Sequence, residues 1–270
     1  GLSMNKIKDI DAFLMFDYKK FKPTFYFNFY WATRHTKQSF DYININGELI
    51  PNITINNDRL WNSLIEMAKI GPGVSGGNNR QTLTFEDGQA RKLLQNWCEE
   101  IGMQMNVDKL GSMFFKRHGK DSNALPVVIG SHLDTQPTGG KYDGVLGVLA
   151  GVEIIKTLND LDIITKRPIM LVNWTNEEGC RFPPSLMASS SYAGLCDVGE
   201  ILKTKDSDGL LFEDELSKIG WKGSEKVGAQ KMHCYFELHI EQGPILENEQ
   251  IDVGIVTHGQ GLKWLEIELN

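Results

Sequence analysis

The chain of 270 residues has 41% hydrophobic and 23% charged side chains, close to the average for globular domains, which excludes a fibrous or largely disordered protein. Its net charge of −7 at pH 7 opposes a nucleic-acid partner, because phosphates attract basic surfaces, and it favours small-molecule chemistry. Four scattered cysteines without a CxxC pair indicate neither a thiolate zinc site nor a disulfide framework. We therefore expect reduced thiols and a cytoplasmic location.

Residues 1–45 are predicted to form an aromatic-rich N-terminal extension, whose order the sequence leaves open. The aromatic side chains between Phe25 and Trp31 could indicate attachment to a membrane surface. However, Asn28 interrupts them, and no apolar stretch approaches the roughly 18 residues that a membrane span requires. We predict no membrane partner.

Globular patterning begins near residue 46, and two helices are predicted first. Apolar residues at helical spacing follow Asn57, and the glycines and proline at 71–73 end that helix. The second helix begins after Thr84, a candidate N-cap, and ends before Gly102, which stands where a C-terminal glycine belongs. Both helices are most simply supports that face the core.

The rest of the chain alternates strands with helices. Strand-like segments are predicted at 104–108 and 112–117, and a helix is predicted from near Asp143 to about Leu158. Three further strands carry polar clusters at or near their carboxyl ends. These are 125–129 with His132 and Asp134, 168–174 with Glu177 and Glu178, and 234–240, which contains His239. Open α/β sheets bind ligands at that edge, so we predict an α/β fold with a mixed sheet flanked by helices and a site there.

The residue types in these clusters are those of a two-metal hydrolase, which needs imidazole nitrogens, carboxylate oxygens and a carboxylate that bridges the ions. His132 is placed to bind metal, and Asp134 could accept its other N–H and fix its tautomer. Asp143 precedes a helix and could bridge. Because the adjacent Glu177 and Glu178 project differently, one could bind metal while the other serves as a base.

Each cluster alone also has an ordinary structural explanation. An isolated HxD motif or Glu-Glu pair is common on protein surfaces. His239 lies on the polar face of its strand with His233, Tyr235 and Glu237, where a hydrogen-bonded structural histidine is the simpler interpretation. Three such clusters at successive strand ends favour a functional site.

Three stretches resemble a known family in order and spacing. GSHLDTQPTGGKYDGVLGVLAG, NWTNEEGCRFPPSLMASSSYAG and ELHIEQGPILE are similar to M20-type metal-dependent amidohydrolases of the hydantoinase/carbamoylase group. This group includes N-carbamoyl-L-amino acid hydrolases, β-ureidopropionases and allantoate amidohydrolases, and the resemblance covers residues from about 46 to 270. It implies a zinc-aminopeptidase-like catalytic domain that hydrolyses the ureido C–N bond of an N-carbamoyl-L-amino acid or β-ureido acid. Allantoate is the alternative substrate.

The resemblance also implies a role for each site residue. His132, Asp143 and His239 would hold one ion, and Asp143 and Glu178 would hold the other. Glu177 would be the general base and acid, while Asp134 would orient His132. The two divalent ions are most simply zinc, with manganese, cobalt and nickel as alternatives.

Three finer expectations follow from the same resemblance. Gln242 would contact the substrate, and the Asp143–Gly144 peptide bond would be cis. Arg181 stays open between a place in the site and a structural salt bridge beneath it.

The family's catalytic domain is interrupted by a lid and dimerisation domain. The resemblance implies that residues 46–258 are the N-terminal portion of the catalytic domain and that 259–270 begin a lid that is otherwise absent. We therefore expect a truncated chain whose second metal lacks a ligand and whose own activity is weak or lost, so an inactive family member is an alternative. A homodimer and a small ureido substrate are expected for the full-length parent.

Overall fold

The computed structural model describes residues 14–16, 42–45, 48–51 and 53–257, with side chains from residue 53 onward. The proposed N-terminal extension lies largely outside these residues, and the proposed start of a lid lies wholly outside them. A separate two-stranded antiparallel sheet is formed by β2 (Tyr42–Ile45) and β3 (Glu48–Pro51).

A mixed six-stranded sheet forms the centre of the described structure, in the order β1-β8-β6-β7-β5-β4. Its strands are β1 (Leu14–Phe16), β4 (Gln104–Val107), β5 (Met113–Arg117), β6 (Val127–His132), β7 (Ile169–Trp174) and β8 (Cys234–Glu237). β6 is parallel to both β7 and β8, whereas β1, β4 and β5 pair antiparallel with their neighbours. The predicted mixed sheet is therefore confirmed, but the last strand ends at Glu237, so His239 follows it instead of lying within it.

Seven α-helices accompany the sheet in the described residues. They are α1 (Asn57–Met67), α2 (Phe85–Glu100), α3 (Val145–Asp160), α4 (Met187–Tyr192), α5 (Val198–Leu202), α6 (Phe212–Lys218) and α7 (Ile245–Asn248). Thr84 is the N-cap of α2, as predicted, and its side chain accepts a hydrogen bond from the Asp87 N–H. None of these helices combines the length and the apolar character needed to cross a membrane.

Two apolar layers cover the opposite faces of the sheet. Leu171 packs in the layer that contains residues of α1, α2 and α3, whereas Met170 and Val172 belong to the layer with residues of α4, α5 and α6. Because successive side chains of a strand point to opposite faces, the apolar run at residues 169–172 of β7 indicates burial on both sides. The sheet edge at the carboxyl ends of β6, β7 and β8 is where polar residues replace this apolar run.

A buried ion pair ties α2 to this edge. Arg91 Nε lies 3.0 Å from Asp87 Oδ1, and both side chains are almost completely buried. The same guanidinium donates to the Gly111 carbonyl at 2.7 Å and to Thr175 Oγ1 at 3.1 Å. Thr175 directly follows β7, so the pair stabilises the backbone that leads to the two glutamates.

Replacing Arg91 by alanine should lower the free energy of unfolding by about 3–5 kcal/mol, because the Asp87 carboxylate stays buried without its partner. The measurement is urea unfolding at neutral pH. Lys69→Ala is the control, since it removes an ion pair to Glu66 whose side chains are 65% and 50% exposed, and it should cost less than about 1 kcal/mol. Equal losses in the two variants would contradict the structural role given to Arg91.

Candidate metal centre

The structure brings the predicted ligands to one edge of the sheet. His132 is the last residue of β6, and Asp143 lies two residues before α3. Glu177 and Glu178 follow β7 after a turn in which Asn176 has a φ of +56°. His239 comes two residues after β8. The side chains therefore converge from three strand ends and one helix N-terminus.

Two groups of ligand atoms meet at His132. The ligand atoms of His132, Asp143 and His239 all lie within 4.8 Å of one another, and so do those of His132, Glu177 and Glu178. His239 Nε2 is 3.1 Å from Asp143 Oδ1, and His132 Nε2 is 3.3 Å from Glu177 Oε2. The first group matches the predicted first ligand set. A second ion between Asp143 and Glu178 stays a prediction, because Glu178 is grouped here with His132 and Glu177.

Asp134 contacts His132 through a different atom from the predicted one. His132 Nδ1 lies 2.8 Å from the backbone oxygen of Asp134, whereas the nearer carboxylate oxygen is 3.7 Å away and outside hydrogen-bond distance. That carboxylate instead accepts the backbone N–H groups of Glu177 at 3.3 Å and Glu178 at 3.2 Å. The expectation of an imidazole–carboxylate bond is wrong, because the carboxylate reaches the turn after β7 and leaves the carbonyl to orient the ring.

The predicted cis bond between Asp143 and Gly144 is also wrong. Among the described residues, the only cis peptide bond joins Pro183 and Pro184. Gly144 makes the turn into α3 with a trans bond and a φ of +68°, a region that glycine adopts without strain. A Cβ at this position would lie 2.3 Å from His132 Nε2, so the glycine also allows the backbone to approach the imidazole.

The ionisable groups of the site perturb one another strongly. A hydrogen bond to Asp143 raises the pKa of His239 to about 9, and the same bond lowers the pKa of Asp143. The pKa of Glu177 is raised to about 7, chiefly by burial; Asp134 and Glu178 contribute to the rise, and His132 opposes it. Burial also raises the pKa of Glu178. A nearby positive charge would offset the repulsion between carboxylates that lie this close together.

Gln242 is held against a predicted ligand. Its Nε2 donates to Asp143 Oδ2 at 2.7 Å, and its backbone has a φ of +57°. The side chain therefore lies at the site, and its contact with substrate stays a prediction.

Arg181 forms a structural salt bridge, which was one of the two roles that the sequence left open for it. Its guanidinium lies 3.1 Å from Asp206 and 2.6 Å from Glu215, and it donates to the Thr82 carbonyl at 3.2 Å. With these partners, Arg181 joins the segment after Glu178 to α6.

Several polar residues around the centre were not predicted from the sequence. Gln136 donates to Glu178 Oε2 at 3.1 Å. Ser131, Tyr235 and Glu237 form a hydrogen-bonded group beside the two histidines. The polar alternation at 233–239 was a signal for the last two residues, but their partners depend on strand register, which a single sequence does not display.

Comparison with known proteins identifies the family of this chain. Residues 128–270 match Peptidase family M20/M25/M40, and the chain belongs to that family. The resemblance inferred from the three motifs is therefore confirmed.

The chain is also similar to individual amidohydrolases and related hydrolases. The chain is 63% identical over 218 residues to the N-carbamoyl-L-amino-acid amidohydrolase of Rhizobium meliloti, covering 81% of this chain and 52% of that protein. It is 34% identical over 218 residues to the ureidoglycolate hydrolase of Arabidopsis thaliana, covering 77% of this chain and 46% of that protein.

A solved structure shows the same fold. An amidase of the hydantoinase/carbamoylase family from Burkholderia multivorans matches with a TM-score of 0.73 and 49% identity, covering 74% of this chain and 49% of that chain. The chain therefore spans about half the length of the relatives it matches.

Removing the His239 imidazole should have a pH-dependent effect on the stability of the EDTA-treated chain. Because the pKa of His239 rises from 6.5 to about 9 on folding, its contribution is full below 6.5 and is lost as the pH rises through 9. The lowered pKa of Asp143 makes the pair's contribution fall again in acid, below the usual value of 3.8.

His239→Gln should therefore lower the urea midpoint most near about pH 6 and very little near about pH 10. His233→Gln, at an exposed histidine six residues earlier, is the matched control and should show no such trend. A His239→Gln effect that grows with pH would show that the Asp143–His239 pair does not stabilise the fold.

Proposed function

We propose that the protein containing this chain hydrolyses the ureido C–N bond of an N-carbamoyl-L-amino acid, releasing the amino acid, ammonia and carbon dioxide. The observation that carries this proposal is the convergence of two imidazoles and a carboxylate beside Glu177, a carboxylate whose pKa is raised to about 7. The 63% identity to the Rhizobium meliloti amidohydrolase supports the choice of substrate class.

The donor atoms fit divalent metal ions. His132, Asp143 and His239 offer two nitrogens and a carboxylate oxygen within 4.8 Å of one another, a set that suits zinc first and manganese, cobalt or nickel as alternatives. In the proposed arrangement Asp143 also contributes to a second ion with Glu178. Bound ions would polarise the substrate carbonyl and make water more acidic.

Glu177 is proposed as the general base and then the general acid. Its side chain is 29% exposed, so it can reach a water molecule while it stays beside His132. A pKa near neutrality suits a group that takes a proton from water and later delivers it to the leaving nitrogen. The Asp134 carboxylate accepts a hydrogen bond from the backbone N–H of Glu177, which keeps the base in place.

Gln242 is proposed to contact the substrate from the side of Asp143. Its amide donates one hydrogen to Asp143 Oδ2 and retains a second N–H and a carbonyl oxygen. These two groups complement the carbonyl and N–H of a ureido substrate. The proposed partner is therefore a small molecule, and a homodimer remains a proposal for the full-length protein.

Replacing Glu177 by glutamine in the full-length protein should reduce kcat for an N-carbamoyl-L-amino acid by about 10²–10⁴-fold, because the amide cannot take a proton from water. Zinc content, measured by plasma emission after gel filtration, should be unchanged, since Glu177 lies outside the proposed first ligand set. Glu200→Gln is the matched control on an exposed carboxylate. The assignment fails if the Glu177 variant keeps full turnover, or if it loses turnover and zinc together.

The preferred substrate is tested separately with a panel on the full-length protein. N-carbamoyl-L-amino acids should have the highest kcat/KM, while allantoate and ureidoglycolate should be poor substrates. The relation to the Arabidopsis thaliana ureidoglycolate hydrolase, at 34% identity, makes these compounds the necessary comparison. Turnover of allantoate or ureidoglycolate alone would transfer the proposal to that substrate class and leave the metal centre intact.

A further inference from the structure

The two histidines of the first ligand group, His132 and His239, lie beyond the point where β6 and β8 stop pairing with each other. The parallel pairing of β6 with β8 ends at Ile129 and Phe236, whereas β6 continues to pair with β7 as far as His132. Backbone hydrogen bonds of the sheet therefore do not fix the distance between His132 and His239. Some other contact must do so if both are to bind one ion.

A group of three side chains occupies the gap between these strand ends. Ser131 Oγ donates to Glu237 Oε1 at 2.5 Å, and the Tyr235 hydroxyl donates to Glu237 Oε2 at 2.7 Å. The same hydroxyl lies 3.0 Å from the Gly130 carbonyl oxygen and accepts a hydrogen bond from Trp174 Nε1 at 3.2 Å. Ser131, Tyr235 and Glu237, here called the strand-end clamp, thus connect β8 to β6 and, through Trp174, to β7.

The start of α3 is seated across the same junction. A Cβ on Gly147 would lie 2.6 Å from the Leu238 carbonyl oxygen and 2.8 Å from Ser131 Cβ. This contact leaves room only for glycine and fixes the first turn of α3 against both strand ends. Asp143 precedes that turn, so all three ligands are positioned from one junction.

We propose that Ser131, Tyr235 and Glu237 are positioning residues that set the separation of His132 and His239, and with it the affinity for the ion held with Asp143. The inference rests on the proposed metal centre and extends it.

The contacts of Glu237 support positioning over direct ligation. Both of its carboxylate oxygens already accept hydroxyl hydrogens, and it belongs to neither of the groups of converging ligand atoms. Hydrogen bonds to a carboxylate are stronger than those between neutral groups, which suits a fixed contact between two strands. Residues that orient metal ligands typically change the metal affinity by about 10–100-fold when they are replaced.

The test is a titration of the EDTA-treated 270-residue chain with Zn²⁺ and with Co²⁺, by calorimetry and by visible absorption. Tyr235→Phe and Glu237→Gln should each weaken binding of the first ion by about tenfold or more and alter the Co²⁺ absorption bands. Ser131→Ala should act in the same direction. If one variant fails to fold, the other two decide, because Ser131→Ala and Tyr235→Phe each remove one of the two bonds to Glu237, and Glu237→Gln alters both.

Tyr192→Phe is the matched control. Its hydroxyl donates to the Gln230 carbonyl at 2.6 Å, and its ring lies 5.2 Å from that of Trp174. The loss of this tyrosine hydroxyl should lower the thermal midpoint about as much as Tyr235→Phe. It should leave the Zn²⁺ affinity and the Co²⁺ spectrum unchanged, which separates positioning from general destabilisation.

The outcomes distinguish this inference from the proposed function. A wild-type chain that binds neither ion would overturn the metal centre itself. A wild-type chain that binds Zn²⁺, with Tyr235→Phe and Glu237→Gln matching its affinity within about twofold and its Co²⁺ spectrum, would overturn the clamp and leave the proposed function standing.

Discussion

The arrangement of the candidate centre depends on the buried carboxylate of Asp134. This side chain is only 1% exposed, and it accepts hydrogen bonds from the backbone N–H groups of both Glu177 and Glu178. Burial of a carboxylate is costly unless hydrogen bonds compensate it, and these two N–H groups are part of that compensation. The bonds join the loop after β6 to the turn after β7, so they place the two glutamates beside His132.

The charges of the side chains at this junction determine the chemistry that the site can support. The edge of the sheet collects Asp134, Asp143, Glu177 and Glu178 around two imidazoles, and several of these groups shift one another's pKa. Such a cluster is unfavourable by itself, and divalent cations relieve its repulsion while using its donor atoms. Burial, with a smaller contribution from the neighbouring carboxylates, raises the pKa of Glu177 to about 7, so the features that favour metal binding also suit a proton-transfer role.

Local sequence signals predicted the elements from α1 to β7, whereas α4 to α7 were not predicted. The cap at Thr84 depends on neighbouring residues and lies where expected, and the strand predicted at 168–174 corresponds to β7. The approach of strand ends to one edge followed from the alternation of strands and helices, which brought His132 and Glu177 together.

Contacts between distant segments were less predictable. The bond of Asp134 to the turn after β7, the link from Ser131 to Glu237 and the trans bond at Gly144 depend on register and on backbone torsion angles. A single sequence displays neither. The motifs identified which residues matter, while the structure determined which atom of each residue makes the contact.

X-ray absorption spectroscopy of the zinc-loaded chain identifies the atoms that bind the proposed first ion. A centre built on His132, Asp143 and His239 should show only nitrogen and oxygen neighbours at about 2.0–2.2 Å, with the outer-shell scattering of imidazole rings. An alternative sulfur donor is the exposed thiol of Cys180, whose sulfur lies 3.9 Å from the Glu178 carbonyl oxygen. A sulfur neighbour at about 2.3 Å, or a shell without imidazole scattering, would contradict a centre built on His132, Asp143 and His239.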